Sequence, residues 1–457
     1  MKRIDFITSL FKLGVLLPLS KIPKDFDCIN ILDFGADSTG KRDSTDIIQN
    51  AINRASKIRK SVFIPAGTFL ITREIRLRTQ THLFGEGHKS VVKQAFKTNG
   101  ELKSIFRASN ITDFRIEKLN IQGSGISNEN STVGIICESS LRGVINRCYL
   151  SNNYIGILIF GLLPKKPCNN IHVIENILTE IGLNGIAANN NGNNINISDN
   201  KIINFGKLAT SKNIGGGIEF RGGYNSKINR NIIHSTDAGD LGSNDAIRIE
   251  NSSENDLAVK DIEIYKNSLS NISGFGIRLQ FVSEALVSNN SISNSKAGGI
   301  LLLGNDKLKH SSNNNHIIEN SIKNIADQFA IKIEGDSKMI CNNNLVKNNS
   351  ISYCRDGVTI YNGNNNDIFY NSFYQLSGSA IYHYSGFGNK IRENKFYKSH
   401  GSIILIGGDS LKIESNTFSL TKNQDIYVDA KAKFITINQE NLKAITLINN
   451  SPTTKIL

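Results

Sequence analysis

From about residue 170 the chain repeats one hydrophobic phrase: a short apolar strand, an Asn, a polar turn, then Gly or another small residue ahead of Ile-x-Ile. The Asn that closes each first strand recurs at Asn176, Asn200, Asn231, Asn267, Asn290, Asn320, Asn349, Asn371, Asn394 and Asn416, with separations of 22 to 36 residues. A period of this size with variable insertions marks a solenoid, whose repeats bury a face only by stacking on their neighbours. The second strand reads GIAA at Gly185, GIEF at Gly217, AIRI at Ala246, GIRL at Gly276, GILL at Gly299, AIKI at Ala330, GVTI at Gly357 and AIYH at Ala380. Alternation predicts Ile218, Ile247, Ile277, Ile300 and Ile331 inward in one stacked column, with their neighbours outward. The recurring Asn is expected to take the left-handed backbone of the bend itself and to bond its copies in an interior ladder. The fold class is therefore all-β, a single-stranded parallel β-helix. No Leu-x-x-Leu-x-Leu frame recurs, which excludes a leucine-rich repeat, and the period is too short for a propeller.

The first coil of such a solenoid needs a cover. STDIIQNAINRASKIRK, from Ser44 to Lys60, places Ile48, Ala51, Ile52, Ala55 and Ile58 on one helical face, with Asp43 or Ser44 as N-cap. An N-terminal capping helix follows from that pattern. Further upstream, Lys2 and Arg3 precede an apolar stretch from Phe6 to Leu19, too short to span a bilayer but the size of an export signal. Residues 1–22 are thus expected to be an export segment and 23–457 one β-helix domain, with the cap and first coils at 28–95 and clear repeats over 170–430. The expected location is periplasmic or extracellular.

Composition agrees with a turn-rich coil: 59 Asn and 38 Gly against 6 Pro and no Trp in 457 residues. The net charge of +13 points to an anionic partner. No nucleic-acid reader motif is present, which makes nucleic acid the poorer partner, and charge alone leaves an acidic polymer or a membrane surface open. Cys28, Cys137, Cys148, Cys168, Cys341 and Cys354 show no C-x-x-C spacing and read as buried small hydrophobes. No metal site is expected and no EF-hand spacing occurs, although the abundance of Asp and Asn leaves Ca2+ open as a cofactor.

Candidate chemistry lies in the outward columns of the second strand. One column runs Glu219, Arg248, Arg278, Leu301, Lys332, Thr359 and Tyr382, and the next Arg221, Glu250, Gln280, Leu303, Glu334, Tyr361 and Tyr384. Arg248 and Arg278 are stacked like charges, unfavourable unless Glu219, Glu250 or a bound anion compensates. A checkerboard of ion pairs that keeps the sheet soluble is the rival reading of these columns. The longest turn, IIHSTDAGDLGSNDA, adds His234, Asp237, Asp240 and Asp245 just ahead of Arg248. Asp245, Arg248, Arg278, His234 and Asp240 are the expected catalytic set. Glu219, Arg221, Glu250, Gln280, Lys332, Glu334, Tyr361, Tyr382 and Tyr384 are the expected substrate contacts, the tyrosines as stacking surfaces for pyranose rings. His383 should point inward.

NILDFGADSTGKRDSTDIIQNAI, VFIPAGTFLI around Pro65 and Gly67, and LFGEG ending at Gly87 resemble the opening of the pectate lyase superfamily with the rhamnogalacturonase and epimerase type of N-terminus. The resemblance implies a right-handed β-helix, usually extracellular and acting on polysaccharide, without fixing the reaction. Polygalacturonases of similar fold carry Asn-Thr-Asp, Asp-Asp and Gly-His-Gly ahead of Ile-x-Ile. Here those places hold Ile214-Gly215-Gly216, Asn244-Asp245 and Gly274-Phe275-Gly276, so only Asp245 remains. The Asp-Pro-His motif of the epimerases is absent. The basic excess and the stacked arginines favour a lyase on a uronate polymer, with a glycoside hydrolase and a non-catalytic binding or tailspike-like module as rivals.

Overall fold

The computed structural model describes residues 28–126, 132–162, 166–210, 214–235, 244–251, 259–304, 311–336, 338–439 and 445–457. The expected export segment lies outside these residues. Among them the strands form three parallel sheets, the first of 18 strands and the other two of 15 each. One coil shows the path. Tyr224–Asn229 lies in the first sheet, Ile232–His234 in the second and Asn244–Glu250 in the third, after which Lys260–Tyr265 returns to the first. Each strand pairs with its equivalent one coil away, as Ile218 with Ile247 and Ile247 with Ile277. The inward column continues through Ile300 and Ile331, and all five isoleucines are fully buried.

The small residue ahead of Ile-x-Ile has a steric cause. A Cβ on Gly217 would stand 2.5 Å from Ile233 Cγ2 and 2.7 Å from the Ala246 carbonyl oxygen, and Gly276 is crowded alike by Ile292 and Gly299. Even the methyl of Ala would have to displace the neighbouring coil at these two positions, and no repeat from Gly185 to Ala380 carries more than Ala there.

The Asn ladder runs from Asn176 to Asn416 as the sequence predicts. Asn200 is typical: its Oδ1 accepts from the backbone N–H and the Nδ2 of Asn176, while its own Nδ2 donates to the Val173 carbonyl and to Asn231 Oδ1, all at 2.9 to 3.0 Å. Every amide hydrogen-bonding site is thereby used inside the coil. The backbone expectation, however, fails by one residue. The left-handed residue is the one before each ladder Asn: Asp199 (φ 59°), Arg230 (53°), Lys266 (56°), Asn289 (56°), Glu319 (57°). The bend turns the chain so that the next side chain faces inward, and that second position needs an amide, not a left-handed former. A second ladder, Asn315, Asn344, Asn366 and Asn389, lies at the entry to the first sheet and was not foreseen. Each of its members again follows a left-handed residue: Asn314, Asn343, Asn365 and Gly388.

The cap helix spans Thr45–Ile58 and buries Ile48, Ala51, Ile52 and Ala55. Ile58, expected on that face, is 48% exposed, because Arg59 ends the helix in left-handed backbone. Asp43 Oδ1 accepts from the Thr45 N–H, whereas Ser44 Oγ turns away to accept from Asp37 N–H. Five cysteines are buried free thiols and Cys28 is half-buried. Among the described residues no helix is long and apolar enough to cross a membrane.

Candidate active site on the third sheet

The outward face of the third sheet carries both columns in the expected register. Glu219 is beside Arg248, then Arg278, Leu301, Lys332, Thr359 and Tyr382, one strand at a time. Arg221, Glu250, Gln280, Leu303, Glu334 and Tyr361 follow alongside. A further set of side chains comes from the position just before each small corner residue: Asn184, Asp245, Phe275, Phe329 and Asp356. Sequence reasoning used only Asp245 of these. The recurring aromatic or Asp at that one place in the phrase was the available signal.

The half of the face nearer the cap is a closed ionic cluster. Glu219 pairs with Arg248, both side chains being 3 to 4% exposed, and also accepts from Asn184 Nδ2 at 3.1 Å. Arg221 Nε lies 2.9 Å from Glu219 and 3.2 Å from Glu250, which also accepts from Gln280. Arg278 Nε is 2.8 Å from Asp245 Oδ2 and its guanidinium lies 4.7 Å over the Phe275 ring. The other Asp245 oxygen accepts from the Phe275 N–H at 2.8 Å. Gly274 makes room for this seat, since a Cβ there would lie 2.4 Å from Asp245 Oδ1. Complete burial pushes the Asp245 carboxyl upward, opposed by the charges of Arg278 and Arg248 and by the Phe275 N–H.

Three cations, Arg221, Arg248 and Arg278, thus face three carboxylates, Glu219, Glu250 and Asp245. The stacked arginines are compensated internally, Arg248 by Glu219 and Arg278 by Asp245. Expected to meet a substrate carboxylate unless neighbouring carboxylates compensate them, they are paired with buried partners, as in the ion-pair checkerboard, because guanidinium and carboxylate of adjacent coils fall within contact of one another. His234 sits in the second sheet, in register with Ile203 and Ser270, and does not share the face that bears Arg248. Asp237 and Asp240 lie outside the described residues.

The half farther from the cap is different. Lys332 Nζ stands 5.3 Å from the Phe329 ring centre and 4.9 Å from that of Tyr361, and 2.9 Å from Glu334 Oε1. The Tyr361 ring stacks on Tyr384 at 5.1 Å and leans on Tyr382 at 6.4 Å. Tyr384 is 50% exposed. Phe329, Lys332, Asp356, Thr359, Tyr361 and Tyr382 line a cavity of 350 Å³ that Gln328, Arg355 and Ser379 complete. Asp356 is held by the Ser379 N–H at 2.9 Å and by Arg355 Nε at 2.8 Å. Burial, reinforced by neighbouring tyrosines and the Asp356 charge, raises the hydroxyl pKa of Tyr361 and Tyr382. His383 is fully buried as expected, bonded to the Gly407 carbonyl and Asn389. Among the described residues no group of three His, Cys, Asp or Glu is placed to hold a metal ion.

Three parallel sheets joined by short bends, with an Asn ladder inside and a capping helix at one end, define a parallel β-helix. The family model for the right-handed β-helix region matches residues 209–353 and 339–451, together more than half the chain, and the chain belongs to that family. Residues 28–113 match the model described as rhamnogalacturonase A/epimerase, pectate lyase-like. Among solved structures, the A-module of the mannuronan C-5 epimerase AlgE6 from Azotobacter vinelandii is similar at 17% identity and a TM-score of 0.60, covering 78% of this chain and 95% of that one. The tailspike of Escherichia coli bacteriophage HK620, in complex with a pentasaccharide, is similar at 12% identity and a TM-score of 0.63, covering 94% and 78%. The Streptococcus pneumoniae surface protein and adhesin PfbA aligns at 14% identity and a TM-score of 0.54, covering 90% and 100%. No curated protein sequence matches the chain. At these identities the likeness speaks for the fold.

Proposed function

We propose that the protein acts on an acidic polysaccharide laid across the third sheet, with its reacting sugar in the trough of Phe329, Lys332, Asp356, Tyr361 and Tyr382. The observation that carries this reading is the trough itself, where one ammonium, one carboxylate and the rings of Phe329, Tyr361 and Tyr382 line a single cavity, with Tyr384 stacked on Tyr361 beside it. Aromatic faces take the apolar side of a pyranose, and an ammonium takes a uronate carboxylate. Neighbouring strands are about 4.8 Å apart, close to the advance of a sugar chain per residue. Two of the similar structures bear on glycans by name, a mannuronan epimerase and a tailspike with a pentasaccharide, which supports the substrate class.

The reaction we favour is β-elimination. Lys332 neutralises the uronate carboxylate, and Asp356 takes the proton from the adjacent carbon. The electron pair then forms the carbon–carbon double bond and expels the glycosidic oxygen, which takes a proton from Tyr382. Burial raises the Tyr382 hydroxyl pKa, so it carries the proton that the leaving oxygen takes. Hydrolysis needs two carboxylates flanking the bond, and Asp356 is the sole carboxylate among the described residues lining this cavity. An apolar run following Lys2 and Arg3 and the net charge of +13 support action outside the cytoplasm on an anionic polymer.

The test is a panel of acidic polysaccharides followed by the ultraviolet absorbance of an unsaturated uronate. Asp356→Asn should abolish the signal and retain binding, and Tyr384→Ala should weaken binding about tenfold. Reducing ends released without that absorbance would establish hydrolysis. Binding without any cleavage would leave a glycan-binding module.

A further inference from the structure

At the capped end of the same face, a cavity of 880 Å³ opens beside the cap helix, over Ile75–Arg76 and Lys103–Ser109 of the third sheet. Its floor is Arg107, 16% exposed, with Nε 2.8 Å from Glu74 and Nη1 2.9 Å from Glu138, and Nη2 donating to the Leu102 carbonyl. Glu74 is fixed further by the Ser104 hydroxyl and N–H. Six lining residues are cationic and three acidic. All three carboxylates are engaged, Glu74 and Glu138 by Arg107 and Glu101 by Lys103 at 2.9 Å. Arg73 is matched by Asp46 of the helix.

Positive charge is left over at the rim. Arg76 is 71% exposed and shares Glu74 with Arg107 at the longer distance of 3.4 Å, the Arg78 guanidinium donates to the neutral Asn53, and Lys97 is exposed. Between these cations the wall is apolar, from Leu77, Phe96, Leu102 and Ile111. We infer that this cap cavity is a second binding site, for an acidic oligosaccharide, separate from the trough. Fixed carboxylates below and a surplus of cations above favour a ligand that brings negative charge to the rim, and the apolar wall accepts a sugar face. The wall has one aromatic ring, Phe96, too few for the base-stacking platform of a single-stranded nucleic acid.

The two sites share one face. From Arg107 the register passes through Ile136, Leu158, Ala187, Glu219, Arg248, Arg278 and Leu301 to Lys332, eight strand spacings or roughly 40 Å. Between them lie a buried apolar cluster that includes Ile136, Leu158 and Ala209, and the ionic cluster. A tetrasaccharide therefore occupies one site or the other, whereas a long polymer spans both and gains from the linkage.

Calorimetric titration of the full chain with tetragalacturonate at low salt tests this. The cap site should lose at least tenfold in affinity in Arg76→Glu/Lys97→Glu, both exposed positions, and remain unchanged in Tyr384→Ala. If the trough reading fails and this one holds, the wild type binds one tetragalacturonate and the charge-reversed variant none. Unchanged affinity and stoichiometry in the charge-reversed variant would overturn the site. So would equal binding of neutral maltotetraose, or tighter competition by an oligonucleotide of the same charge.

Discussion

Replacing Arg248 by Met separates a structural ion pair from a substrate-binding cation. Glu219 and Arg248 are both almost wholly buried. Breaking a buried pair at one end costs about 3–5 kcal/mol because the other charge is left without compensation. Position within that range follows from the remaining partners. Without Arg248, Glu219 keeps Arg221 Nε at 2.9 Å and Asn184 Nδ2 at 3.1 Å, so Arg248→Met should cost about 3 kcal/mol. Without Glu219, Arg248 keeps the Ile214 carbonyl at 3.2 Å and the more distant charge of Asp245, and its Nε has no hydrogen-bond partner. Asn184 loses its acceptor as well, so Glu219→Met should cost about 5 kcal/mol. The double variant removes both charges together and should cost no more than Glu219→Met alone, a coupling of at least about 3 kcal/mol. Urea unfolding followed by circular dichroism, compared at equal m-value, measures the cycle. Additive costs, or single variants of wild-type stability that no longer bind polysaccharide, would refute the closed-cluster reading and return Arg248 to the substrate.

Other consequences can be measured on the same scaffold. Asn290→Ala removes acceptors for the Asn267 N–H and Nδ2 and donors to the Ile264 carbonyl and Asn320 Oδ1, and at about 1 kcal/mol or more for each group stranded it should cost about 4 kcal/mol in urea unfolding. Lys266→Gly, one residue before a ladder Asn, should instead stabilise by about 0.5 kcal/mol, as relief of left-handed strain exceeds the entropy cost of Gly. His383 is buried neutral and its pKa falls to about 4, chiefly by desolvation. Its folded value lies below the unfolded one, so its contribution is complete above about pH 6.5 and is lost as pH falls toward 4, by up to about 3 kcal/mol. His383→Gln should flatten stability across that window, and an unaltered pH profile would contradict the assignment.

The sequence by itself determined the coil, its register and the inward column. Alternation and β-branching act between neighbours in the chain, and a repeat states the same preference many times over. The ladder was legible for the same reason, since Asn176 to Asn416 recur at one place in the phrase. The second ladder was hidden in runs such as Asn313-Asn314-Asn315, where composition alone does not separate the left-handed Asn from the inward one. That the residue before each ladder Asn takes the bend is a property of the backbone path, carried as readily by Glu319 or Lys266 as by Asn. Tertiary structure alone decided what the outward charges do. Glu219, Arg248, Asp245 and Arg278 lie about 30 residues apart in sequence and meet only because adjacent coils bring them within bonding distance, which turns expected substrate cations into buried pairs. The same stacking left Lys332 among aromatic rings and gathered Asp356 and Phe329, each unremarked in the sequence, into one trough. A single strand states which way a side chain points; only the next coil states what it meets.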